Sequence, residues 1–313
     1  MSDQITGIGR EHVVWAYRLL LDRDPESERA IEPKLRAWRT TRELRTDIMS
    51  SEEFRIKNPD VAGTTASTFV IKPLGDARLW IDLADHVIGL PIVRDQYEPE
   101  ILRFAVSLLG AGDVAVDVGA HIGFFAMQFA QAVGPTGMVY AYEPLERNAD
   151  LLERSIAESR FGSRVALARA AVSERAGHAT LRFARETLNT GGAFLGDRAT
   201  GVDESLQAVT VPTISLDDAA LRRPVRLVKM DVEGAEPLVV RGATRLLGED
   251  RPHIISEIHP EQLGRVCGSS PAALFGELAR LGYTPHRTDG GDLGAAIRPE
   301  DVTSVTTVAF VAR

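Results

Sequence analysis

The chain has 313 residues, 44% of them apolar, which is enough for one large domain and one small one, each with its own core. A net charge of −8 with no basic run argues against tight binding to nucleic-acid phosphates, and the single cysteine, Cys267, excludes an internal disulfide or a cysteine-based metal cluster. Cys267 itself reads as a small apolar residue rather than a nucleophile. No window approaches the roughly eighteen apolar residues of a membrane span, and the first residues lack a charged-then-apolar leader, so a cytoplasmic chain is expected. Only four lysines accompany a large excess of arginines, a bias that points to a GC-rich bacterial genome.

Helical periodicity opens the chain, in Val13, Val14, Tyr17, Leu20 and Leu21 and again in Leu35, Trp38, Leu44 and Ile48. Residues 1–60 are therefore expected to form a small helical module. Asp24-Pro25 breaks its first helix, and Asn58-Pro59 with Gly63-Thr-Thr-Ala-Ser67 opens a linker. Residues 61–110 are expected to hold a linker and lead-in strands or a helix. The short apolar runs of 69–93, interrupted by Pro73, Gly75, Gly89 and Pro91, suggest strands or extended pieces that lead into or cover a site.

From 111 to 313 strand and helix alternate, the pattern of a doubly wound α/β domain. Strands are predicted at 114–118, 138–142, 165–168, 225–230 and 254–258, and helices at 123–133, 146–158, 236–246 and 271–281. His178 to Phe183 and Gln207 to Val211 are expected to pair as a hairpin. The end, Tyr283 and then Ser304-Val-Thr-Thr-Val-Ala-Phe-Val-Ala312, reads as a strand with a returning antiparallel partner.

Within this pattern, Val114-Ala-Val-Asp-Val-Gly-Ala-His-Ile-Gly-Phe124 is a buried strand running into a glycine turn and a helix. Gly119 and Gly123 permit a tight turn and close approach of a ligand, and the helix start offers free N–H groups. Asp117 inside an apolar strand is costly unless bonded, so it orients the turn or a cofactor. The spacing is G-x-x-x-G and not the G-x-G-x-x-G of dinucleotide sites, which argues against NAD. Glu143, twenty residues after Gly123 at the end of the next apolar run, suits the ribose hydroxyls of a nucleotide-like cofactor.

A second cluster follows in Leu227-Val-Lys-Met-Asp-Val-Glu-Gly-Ala-Glu236, which puts Asp231, Glu233 and Glu236 at a strand's carboxyl end. Glu233 and Glu236 have an alternative as helix N-terminal acids. Lys229 shares a strand face with Asp231 and either pairs with an acid or touches substrate, pairing being the blander role. In the neighbouring run His253-Ile-Ile-Ser-Glu-Ile-His-Pro260, alternation places Glu257 and His259 on one face. Asp231, Glu257 and His259 are thus the candidate catalytic groups. Asp231 and Glu257 are also candidate ligands for a hard divalent cation such as Mg²⁺.

With Tyr97-Glu-Pro99, Val116-Asp-Val-Gly-Ala-His-Ile-Gly123, Glu143-Pro144, Asn148, Ala170-Ala-Val172, Gly177 and above all Lys229-Met-Asp-Val-Glu-Gly-Ala-Glu236, the chain from 69 onward resembles the FkbM family of S-adenosylmethionine-dependent methyltransferases. His121 stands where that family more often has asparagine. The resemblance implies a class I methyltransferase fold, a seven-stranded, mostly parallel sheet with its last strand antiparallel. It also implies that Asp117, Gly119, Ala120, His121 and Gly123 line the cofactor with Asp231, and that Glu143 binds its ribose. Tyr97 or Glu98 would close over its amino-acid end, with Asn148 and Ala170 near the adenine. The amino-terminal module, with Tyr17-Arg-Leu-Leu-Leu-Asp-Arg-Asp-Pro25 and Ser50-Ser-Glu-Glu-Phe54, is similar to the DUF4214 type, though the glycine expected after Pro25 is missing.

The expected activity is therefore methyl transfer to a hydroxyl of a small molecule or glycan, of sugar or polyketide type. The rivals are N-methylation and a non-catalytic glycan-binding or scaffolding protein with a retained cofactor fold. Leu188-Asn-Thr-Gly-Gly-Ala-Phe194 is a candidate acceptor contact with no readable code, and the helical module suits homo-oligomer contacts, recruitment of a polymeric substrate or simple stabilisation.

Overall fold

The computed structural model describes residues 8–57, 69–184, 191–196 and 206–312. It divides into two compact units, Met1–Thr68 and Phe69–Arg313. In the first unit α1 (Arg10–Leu21), α2 (Glu28–Ala37), α3 (Thr41–Ser50) and α4 (Glu52–Lys57) enclose a core of Val13, Tyr17, Leu21, Ile31, Leu44, Ile48 and Phe54. The periodic apolar positions drive this packing. Thr40 opens α3 with a capping box, its hydroxyl accepting from Glu43 N while the Glu43 carboxylate accepts from Thr40 N.

The second unit begins with an antiparallel pair, β1 (Phe69–Leu74) and β2 (Ala77–Asp82). Strands are one of the forms expected of the apolar runs over 69–93. Leu79 and Ile81 enter its core, and the amides of Arg78 and Trp80 donate to the hydroxyls of Ser159 and Ser155. Helices Gly89–Val93 and Pro99–Ser107 then lead to the main sheet.

That sheet contains β3 (Val114–Val118), β4 (Met138–Tyr142), β5 (Val165–Ala168), β10 (Leu227–Met230), β11 (His253–Ile258), β12 (Tyr283–Asp289), β13 (Asp292–Ala296) and β14 (Thr306–Ala312), in the order β13-β12-β14-β11-β10-β3-β4-β5. It has eight strands, not seven, because the turn at Gly290 and Gly291, both with positive φ, folds Asp292–Ala296 back on β12 as an edge hairpin. β14 inserts antiparallel between β11 and β12, and β3, β4, β5, β10 and β11 run parallel. Two apolar clusters cover its faces, as the uniformly buried β3 and β10 require.

Between β5 and β10 the chain builds a second sheet from β6 (Ala171–Val172), β7 (Gly177–Ala184), β8 (Phe194–Leu195) and β9 (Leu206–Ile214), ordered β6-β9-β7-β8. β7 and β9 pair antiparallel, from Gly177 against Thr213 to Ala184 against Leu206, as the hairpin was expected to do. Residues 188–190 of the candidate acceptor segment lie outside the described residues.

The helix expected over 236–246 is two helices, Glu236–Arg241 and Thr244–Glu249. At the break, a Cβ on Gly242 would overlap the Ser173 carbonyl oxygen, so the backbones of the two segments touch there. No helix among the described residues is long and apolar enough to cross a membrane. Replacing Gly242→Ala should lower unfolding free energy by about 1–3 kcal/mol through this overlap, read as a shifted urea midpoint at constant slope.

Candidate active site

Adjacent strands β4 and β10 flank β3 on opposite sides, so the chain reverses its direction of growth across the sheet at β3. A crevice forms at such a point, outside the carboxyl ends of the strands. Here it is a cavity of about 330 Å³, and Asp117, Gly119, Ala120, His121, Glu143, Lys229, Asp231 and Glu257 are among the residues lining it.

The floor is the turn after β3. Gly119 has φ +79°, and a Cβ on it would overlap the Asp231 carbonyl oxygen. Glycine is needed here because the end of β10 passes directly against the turn. The amides of Gly119 and Ala120 both donate to Tyr142 O at 3.0 Å, which binds the turn to β4 as well. Gly123, with φ +91°, does not line the cavity; its missing side chain makes room for Leu152. Packing against Leu152 is thus one reason for glycine at this position.

Glu143 leaves β4 and ties this turn together. Its Oε2 accepts from His121 N at 2.9 Å, its Oε1 from Leu145 N at 2.9 Å and from Asn148 Nδ2 at 3.4 Å. Burial pushes its carboxyl up to about 7, although the three donors oppose the shift. Asn148 thus orients Glu143 and is not among the lining residues, whereas Ala170 is. Asp117 is fully buried, and burial raises it to about 6 against the lowering effect of Lys229. Among the described residues neither Asp117 carboxylate oxygen makes a full hydrogen bond, although the Ala126 backbone N–H helps to hold its charge, and Asp117 lines the cavity. Such a group calls for a donor from a ligand.

Burial lowers His121 to about 4, so its imidazole is neutral at physiological pH. Its Nε2 lies 4.0 Å from Asp85 Oδ2, and the Asp85 Oδ1 accepts from Val87 N and Ile88 N at 3.0 Å. Val87 and Ile88 form cavity wall, a contribution that only the broken apolar pattern of 69–93 foreshadowed. Tyr97 stands edge-on to Phe124 at 5.5 Å between ring centroids. Beside it Glu98 adopts φ +42°, and burial raises its carboxyl. Both line the cavity.

Across from the turn, β10 supplies Lys229 and the segment beyond it supplies Asp231 and Glu233. Lys229 Nζ is 3.3 Å from Asp231 Oδ2. Burial, reinforced by neighbouring acids, pushes Glu233 up to about 8 and Glu257 up to about 7. Glu233 belongs to the cavity rather than to a helix start. Glu236 takes the helix role: fully buried and absent from the lining, it accepts from Gly234 N at 3.3 Å.

His259, the third candidate catalytic group, is not among the cavity-lining residues. β11 ends at Ile258, so the two-residue alternation no longer applies, and His259 becomes the N-cap of the helix Pro260–Cys267. Its Nδ1 accepts from Gln262 N at 3.4 Å. Asp231, Glu233 and Glu257 can each bring one oxygen within 4.8 Å of the others, the donor set a divalent cation would use, but the Lys229 ammonium already contacts Asp231.

A parallel sheet with a glycine turn, a buried acid after the next strand and acids at the facing strand ends is the arrangement of an α/β enzyme that works on a nucleoside cofactor. The model of the FkbM methyltransferase domain matches residues 117–285, more than half of the chain, and the chain belongs to that family of S-adenosylmethionine-dependent methyltransferases. The 31-O-demethyl-FK506 methyltransferase FkbM of Streptomyces tacrolimicus is 29% identical over 184 residues, 50% of this chain and 69% of that protein. Among solved structures, the methyltransferase FkbM of Methylobacillus flagellatus KT is 17% identical, with a TM-score of 0.39 over 64% of this chain and 43% of that one. An S-adenosylmethionine-dependent O-methyltransferase of Thermotoga maritima is also 17% identical, with a TM-score of 0.37 over 69% of this chain and 66% of that one. This chain therefore spans less than half the length of the Methylobacillus protein.

His259→Ala should remove the helix cap, costing about 0.5–1 kcal/mol of stability in a urea titration. Affinity for S-adenosylhomocysteine, measured by calorimetry, should stay within twofold of wild type.

Proposed function

We propose that this enzyme transfers the methyl group of S-adenosylmethionine to a hydroxyl oxygen of a sugar, glycan or polyketide-type acceptor. The observation that carries the cofactor half is the buried Asp117 carboxylate, which lines the cavity with neither oxygen fully hydrogen-bonded among the described residues. A cofactor ammonium suits those oxygens. Glu143, fixed by three donors, keeps lone pairs for ribose hydroxyls; Ala120, His121 and Ala170 line the nucleoside side, and Tyr97 and Glu98 close the amino-acid end. Bound there, S-adenosylmethionine supplies a methyl group activated on a sulfonium.

The acceptor half rests on Asp231 and Glu257. An alcohol stays protonated at neutral pH, so its oxygen needs a base as the new bond forms. A carboxylate at Asp231 or Glu257 takes that proton, and Glu257, pushed up to about 7, holds it well enough to return it to water afterwards. Most of the acceleration comes from alignment, which a buried, hydrogen-bonded turn and two strand ends provide. The name of the Streptomyces relative describes an O-methyl acceptor, and we carry oxygen over to this chain on that ground. N-methylation is the second reading, favoured by the acids at 231, 233 and 257, one of which would take a proton from a bound ammonium to free the nitrogen lone pair that attacks the methyl group. The helical first unit, which we liken to the DUF4214 type, would recruit acceptor or a second copy.

Calorimetric titration with S-adenosylhomocysteine tests the cofactor half, and absence of binding would sink it. Glu143 accepts ribose hydrogen bonds in its ionised form, so binding holds above about pH 7 and weakens about tenfold per unit as pH falls below it. In Glu143→Gln, affinity should be low throughout and this slope lost. Asp231→Asn should reduce turnover at least about a hundredfold with a competent acceptor while cofactor affinity changes little. Unchanged turnover would remove Asp231 from the chemistry.

A further inference from the structure

Lys229 is one of only four lysines in the chain, and it is 5% exposed. On β10 it sits directly across from Asp117 of β3 in register. Its ammonium lies 3.3 Å from Asp231 Oδ2 and 4.6 Å from the centroid of the Phe125 ring, whose face attracts a cation. Among the described residues lining the cavity, Lys229 is the one fixed positive charge, against six carboxyls: Glu98, Asp117, Glu143, Asp231, Glu233 and Glu257. Burial alone would lower the lysine, but the charges of Asp231, Asp117 and Glu98 outweigh it and hold the group above its ordinary value. It stays protonated.

A divalent cation bridging Asp231, Glu233 and Glu257 would lie close to this ammonium, in a place where water screens little. Attraction to the acids therefore meets repulsion from a charge that cannot leave. We propose that Lys229 is the resident counter-ion of the acidic strand ends, a positioning residue that holds the Asp231 carboxylate toward the acceptor and stands in for a divalent metal. The part played by Asp231 rests on the methyl-transfer reading above; the exclusion of the metal rests on the charges alone. Arginine keeps the charge and methionine keeps the bulk without it.

The test uses the full chain, titrated with MgCl₂ and MnCl₂ by calorimetry and by thermal shift at pH 8. Wild type and Lys229→Arg should show no saturable binding below about 1 mM. Lys229→Met should gain saturable binding at least about tenfold tighter, and the double variant carrying Lys229→Met and Glu233→Gln should lose it again. A lysine with a merely structural role would not create metal affinity on removal. Saturable micromolar binding by wild type overturns the proposal whether or not any variant folds, as does a folded Lys229→Met that binds no metal. Lys229→Gln, which retains a polar head, serves if the methionine variant does not fold. Titration of the same wild-type sample with S-adenosylhomocysteine separates this outcome from failure of the cofactor reading.

Discussion

The site depends on one close approach, the contact between the turn after β3 and the backbone just past β10. Gly119 carries no side chain because the Asp231 carbonyl oxygen occupies that space. The contact fixes the distance between the turn and Asp231, which projects from the same backbone that touches it. Any side chain at 119 would push the two strand ends apart, and in the proposed methyl transfer alignment tolerates little displacement. The parallel pairing of β3 with β10, Ala115 against Leu227 through Val118 against Met230, extends this contact down the sheet.

Around that contact the chain accumulates buried acids, and each is tolerated for a different reason. Glu143 accepts three hydrogen bonds, Glu236 accepts one at a helix start, Asp231 has a lysine, and Asp117 has the Ala126 backbone N–H and the charge of Lys229. A buried carboxyl without support is costly, and support alone does not sort these acids, since among the described residues Glu236 Oε2 has no partner either. The cavity separates them: Asp117 and Glu233 line it and Glu236 does not, although Glu233 and Glu236 stand within one short run of sequence.

The buried strands were legible because they are continuously apolar. β3, β4 and β5 begin and end where Val114, Met138 and Val165 open their runs and the glycine, acid and arginine that follow close them. The antiparallel return of β14 was legible for the same reason. β13 was not, since Asp292-Leu-Gly-Ala-Ala296 is short, exposed along most of its length and held by one edge. The N-cap geometry of His259 was not legible because period-two alternation assumes that the strand continues, and Pro260 ends it by starting a helix. Nor was the neighbour of Gly123: a positive-φ glycine marks a close approach but does not say to what, and here the space is taken by Leu152. The wall formed by Val87 and Ile88 carries no motif, because its position depends on Asp85 holding two backbone amides.

That wall has a consequence for how relatives are compared. The segment matched by the family model starts at Asp117, yet Val87, Ile88, Tyr97 and Glu98 enclose the cavity from upstream of it. Val87 and Ile88 wall the cavity without belonging to any motif, so a comparison confined to residues 117–285 leaves part of the shape of the site unread.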